Sequence, residues 1–145
     1  MNNNEINFRT PRTIVGTAME LAVAIQVIVM WGVTFWLFRG ATSDLILSLI
    51  CHGIVCTAIP LLMMVLCYFP KTFNMPVRRP RVEHYMLTVQ LIRVCCIIIM
   101  PILIAATWKL GRPADQEAMD GVQAIFGCMV TLAVGYYMFR FIRMR

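Results

Sequence analysis

Charge is what this chain lacks most. Only 14% of its 145 residues are charged, and 60% are hydrophobic. A soluble domain carries about 25% charged residues. The scarcity excludes an ordinary water-soluble globule, and the length allows a single compact unit. Acidic side chains number seven, and only Glu20 falls inside an apolar run. Intramembrane hydrolysis by a carboxylate pair therefore lacks its second member, and no HExxH, GxSxG or paired aspartates occur. The two histidines, His52 and His84, stand far apart in sequence. With no CxxC pair and no metal-ligand spacing, no metal site is expected, and the sequence implies no other cofactor. Repeats, low-complexity tracts and Gly/Ser linkers are absent as well.

The six cysteines, Cys51, Cys56, Cys67, Cys95, Cys96 and Cys128, all sit in apolar stretches. There they read as small polarizable packing residues and not as a disulfide framework.

Apolar runs are what remains. A span needs roughly 20 apolar residues to cross ~30 Å of hydrocarbon. Four runs meet or approach this: 14–38, 45–69, 86–108 and 122–139. Each must be helical, because lipid offers no partners for backbone amides and carbonyls. The expected fold is all-α, a four-helix transmembrane bundle formed by residues 1–145 as one integral membrane domain. The first run follows Arg9 and Arg12, as a signal peptide would. Its 25 residues exceed the 7–15 of a signal core, and it reads as a retained anchor.

Cations set the orientation. Nine Lys and Arg residues (Arg9, Arg12, Lys71, Arg78, Arg79, Arg81, Arg140, Arg143, Arg145) flank the spans on one side. Three (Arg39, Lys109, Arg112) flank them on the other. The positive-inside rule puts both termini in the cytoplasm. Trp31, Trp36 and Trp108 then lie toward the outer ends of the spans, with Tyr68, Tyr85, Tyr136 and Tyr137 toward the inner ends, as aromatic belts do. The net charge of +6 is gathered in short clusters beside apolar runs. That pattern fits anionic lipid headgroups and not nucleic acid. Lys71, Arg78, Arg79 and Arg81, in the proline-punctuated loop "FPKTFNMPVRRPRVEHY", are the expected headgroup-binding residues.

The same loop resembles a known family. Phe69, Pro70, Phe73, Asn74, Pro76 and Val77 form an FP-x-x-FN-x-PV segment. Tyr85 and Arg93 follow in "EHYMLTVQLIR". This is similar to small bacterial membrane proteins that carry a domain of unknown function found beside SdpI-type immunity proteins. The likeness covers about 25 residues; elsewhere it rests on span count and spacing. Those proteins carry a Pro-x-His-Phe-Asn segment after the first span, where this chain has only "RGATSD". The resemblance implies a multi-pass protein of the bacterial inner membrane and carries over no catalytic residue.

Ionisable residues inside spans are costly and mark functional positions. Glu20 lies roughly 9 Å and Arg93 roughly 10 Å from the same edge, at ~1.5 Å of rise per residue. Gly16, Glu20 and Ala24 recur at i, i+4, i+8, which turns Glu20 toward a neighbouring helix. Three readings stand: a structural ion pair between spans one and three, a proton or cation site, or Arg93 snorkelling to the headgroups above a protonated Glu20. Gln26 and His52 share a second level and form a second expected polar pair. His84 reads as solvated or interfacial. Pro60 and Pro101 are expected to kink their helices. Ala124, Gly127, Thr131 and Gly135 give span four a small face for the bundle, a homodimer or another membrane protein.

Two functions fit this inventory: a non-enzymatic accessory or interaction protein, and a small proton-coupled exporter acting as a homodimer. The exporter shares four spans and a first-span Glu with the small multidrug exporters, but none of their other signature stretches. An Arg at the same depth would cancel the acid.

Overall fold

A computed structural model describes residues 13–69 and 82–143. Four helices account for nearly all of them: α1 (Ile14–Leu37), α2 (Ser43–Leu66), α3 (Val82–Gly111) and α4 (Gln116–Arg143). A 3-10 turn, Pro113–Asp115, joins α3 to α4. Each helix is long and apolar enough to cross a membrane. The molecule is a small multi-pass membrane protein.

The helices outrun the apolar windows. α3 begins at Val82 where apolarity begins at Met86, and α4 runs from Gln116 to Arg143 around the 122–139 run. Apolarity marks the hydrocarbon slab, whereas backbone hydrogen bonding continues into the interface as long as side chains permit. α1 starts where Thr13 can cap it: the Thr13 hydroxyl accepts a hydrogen bond from the Gly16 amide at 3.0 Å, satisfying one of the orphan donors of a helix start.

Successive helices run antiparallel, and α3 is the hub that packs against the other three. The core lies between α1, α2 and α3. It contains Val23, Met30, Cys56, Met64, Cys96 and Met100, with Trp31 and Ile97 packed on its edge. α4 lies chiefly along α3 and buries no residue fully. Its small residues do not face the bundle: Ala124, Thr131 and Gly135 are exposed, and nothing approaches the Cβ position of Gly127 or Gly135 within 4 Å. The outer surface is as apolar as the interior, with Ile28 and Leu132 among many exposed aliphatics. Water would penalise such a surface, and lipid does not.

The buried line on α1 is Gly16, Val23, Met30, Thr34 and Leu37, a repeat close to seven. Ala24 is exposed, so the i, i+4, i+8 stripe does not hold. Each step of four turns a helix position by about 40°, and two steps carry Ala24 off the contact, whereas a step of seven drifts only ~20°.

The prolines lie inside helices that continue past them. Pro101 has no N–H and so leaves the carbonyl four residues earlier, that of Ile97, without its helical donor. Gln26 of α1 supplies one, its Nε2 donating to Ile97 O at 3.2 Å.

Of the six thiols, Cys56, Cys67 and Cys96 are buried, Cys95 is half-buried, and Cys51 and Cys128 are exposed; none is in a disulfide. The buried three are packing residues of the core and its margin.

Candidate functional site

The polar centre is built by three helices. Arg93, on α3, is 5% exposed. Its Nη2 lies 2.7 Å from Glu20 Oε1 on α1. Tyr68, just beyond the end of α2, donates its hydroxyl to the other carboxylate oxygen, Glu20 Oε2, at 2.6 Å. Both oxygens of the one carboxylate in the spans are thus engaged within a single chain. Short bonds between ionised partners are the strong ones. Here they tie the start of α1 to the end of α2 and to α3.

Local sequence permits this approach. Gly16 sits one turn before Glu20, and a Cβ there would lie 2.5 Å from Arg93 Nη1. The absent side chain is what lets the guanidinium lie against the first turn of α1. Arg93 therefore extends from its own level toward the helix start, while Glu20 meets it from one turn deeper.

Tyr68 was not legible as part of this centre. Its position at a span end assigns it to an aromatic belt, and only the antiparallel packing of α2 on α1 brings its hydroxyl down to Glu20. A usable signal was there: spans one and two are neighbours, so the end of the second lies beside the start of the first.

The expected Gln26–His52 pair does not form. Gln26 turns to the Ile97 carbonyl on α3, and His52 Nε2 lies 3.4 Å from Cys56 Sγ on its own helix. Equal depth fixes only one coordinate of a side chain; its direction around the helix is set by packing, and the carbonyl freed by Pro101 is the better partner. His84 also departs from expectation. Because α3 begins at Val82, His84 lies in its first turn, 3% exposed, with its ring edge-on to Phe141 of α4 at 5.0 Å. Lys71, Arg78, Arg79 and Arg81 lie outside the described residues.

Trp31 is no belt residue. It covers Gly53 of α2, where a Cβ would meet the indole at 3.2 Å, and its Nε1 donates to Thr57 Oγ1 at 3.0 Å. The opposite end of the bundle is closed by Trp36 and Trp108, stacked at 5.2 Å and 12°. The Arg112 guanidinium stands 4.6 Å above the Trp36 ring, a cation–π contact. Trp108 Nε1 donates to Asp115 Oδ2 at 3.0 Å, and Lys109 pairs with Asp120 across the turn into α4.

Among the described residues no three His, Cys, Asp or Glu side chains come together as metal ligands. The fold and its polar centre define the class, a four-helix transmembrane bundle whose described helices are tied by a partly buried ion pair. Comparison with family models, with curated proteins and with solved structures gives no match.

Proposed function

We propose that this chain is a non-enzymatic accessory protein of the bacterial inner membrane, acting through contacts of its helices with lipid or with another membrane protein. One observation carries the reading: Glu20, the only carboxylate within the spans, spends both oxygens on Arg93 and Tyr68 of its own chain. A proton-coupled exporter needs that acid free to exchange protons and substrate. Here it sits beside a fixed cation, in the role of a tie between helices. Supporting it further are the short connections and the lack of a catalytic constellation in the sequence. Both termini and the basic loop are placed in the cytoplasm by the distribution of Lys and Arg. The relation to the proteins found beside SdpI-type immunity proteins belongs to the same proposal and rests on the FP-x-x-FN-x-PV segment.

The test is flux. Wild-type protein in liposomes with an imposed proton gradient is expected to give no proton-driven movement of lipophilic cations. Glu20→Gln is expected to lower the thermal stability of the detergent-solubilised bundle. Proton-driven flux in the wild type, abolished by Glu20→Gln with the fold intact, would establish the exporter instead.

A further inference from the structure

Arg93 has more donors than its ion pair uses. Only Nη2 reaches Glu20. Nε is buried and has no hydrogen-bond partner, and a guanidinium carries five N–H donors and no acceptor. The side chain lines a crevice of about 250 Å³ between α1, α3 and α4. Thr13, Gln90 and Tyr137 line it too. The Thr13 oxygen already accepts from the Gly16 amide, so its hydroxyl hydrogen is free to turn outward. Tyr137 offers a phenolic O–H and Gln90 an amide. The polar wall is therefore rich in donors, at the positive end of a 24-residue helix. Its complement is a ligand made of acceptor oxygens.

The surroundings say where that ligand comes from. Val15 borders the crevice and is 64% exposed, and Ile14 beside it is 91% exposed. Side chains so apolar and so exposed face lipid. Met19 and Met86 give the crevice an apolar side. It thus opens where α1 enters the bilayer, with Met86 at the membrane edge of α3 and Met19 deeper along α1 than Thr13 and Gly16. A soluble anion would gain nothing from the methionines, whereas a glycerol backbone would lie against Met19. Glu20 neutralises part of the Arg93 charge without lining the crevice, and it engages only Nη2 of the guanidinium.

We propose that this crevice is a binding site for an anionic glycerophospholipid, its phosphodiester held by Arg93, Gln90 and Tyr137 and its glycerol lying on Met19. The site is formed by residues of α1, α3 and α4. It goes beyond the accessory reading: a chain that carried flux could hold the same lipid, and a chain that carried none could lack it.

The experiment uses the full chain, purified and delipidated in a neutral detergent, with phosphatidylglycerol as the probe and binding read by native mass spectrometry. Gln90→Leu combined with Tyr137→Phe removes two donors and leaves Glu20, Arg93 and Tyr68 in place. Loss of two hydrogen bonds to a charged group is expected to weaken phosphatidylglycerol binding about tenfold or more. The lipid-free melting temperature should stay within a few degrees of wild type. If that variant misfolds, Val15→Trp, which plugs the mouth from the exposed face, is expected to give the same loss. Three results would each overturn the proposal: unchanged affinity in the folded variants, displacement by equimolar inorganic phosphate, and equal affinity for phosphatidylcholine. Loss of binding only on neutralising Arg78, Arg79 and Arg81 would assign the lipid to the loop and overturn it too.

Discussion

The Glu20–Arg93–Tyr68 centre can be tested by a double-mutant cycle. The Arg93 side chain is 6% exposed and that of Glu20 27%, so neither charge is well solvated. Glu20→Gln keeps the shape, its oxygen able to accept from Arg93 and its NH2 able to donate to the Tyr68 hydroxyl, but it removes the negative charge and leaves the Arg93 guanidinium without a counter-ion. A bond to a charged group contributes about 1.5–3 kcal/mol, and leaving a buried charge unpaired costs about 3–5 kcal/mol. Each single change, Glu20→Gln or Arg93→Gln, should therefore destabilise by about 3 kcal/mol. The double change removes both charges and leaves two amides able to bond each other. Its cost should be about 1–2 kcal/mol, because no lone ion remains. The predicted coupling is thus several kcal/mol. Thermal unfolding of the four proteins in one detergent measures it. The singles should melt on the order of 10 °C below wild type, at ~2–4 °C per kcal/mol for a chain of this size, and the double should recover part of the difference. Additive effects, with coupling below ~0.5 kcal/mol, would refute the claim that these charges depend on one another.

Two further tests follow from other parts of the molecule. Gln26→Leu should cost roughly 0.6–1 kcal/mol by stranding the Ile97 carbonyl; in a Pro101→Ala background, where an N–H returns to that carbonyl, the same change should be nearly neutral, and an unchanged cost in denaturant unfolding would sever the link between them. Reporter fusions at residue 145 and in the 113–117 segment should read opposite sides of the membrane, with residue 145 cytoplasmic; a C-terminus outside would reverse the orientation drawn from the cations.

Much of this architecture is legible in composition. Four long apolar runs in a chain this poor in charge leave helices as the only way to satisfy the backbone in lipid, and the structure has four. The level at which a residue sits is equally legible, since it is distance along a helix of fixed rise. That is why Glu20 and Arg93 can be matched before any coordinates. Direction around the helix is not legible in the same way. Gln26 and His52 share a depth, yet each faces a different partner, and Ala24 turns away from the contact that a four-residue spacing assigns it. In water, apolar and polar faces would reveal direction; here the lipid face and the core face are both apolar, so the periodicity that normally marks the inside is nearly erased.

What the sequence determined by itself is therefore the class of fold, the span levels and the residues too polar to be idle. Tertiary structure alone decided which of those residues meet. It chose Ile97 for Gln26, because a proline on another helix had freed a carbonyl there. It chose Tyr68 for Glu20, because antiparallel packing brings a span end beside a span start. It laid Arg93 over Gly16, because only a missing side chain leaves room for a guanidinium. Each choice is made by contacts between helices far apart in the chain, and no local pattern encodes them.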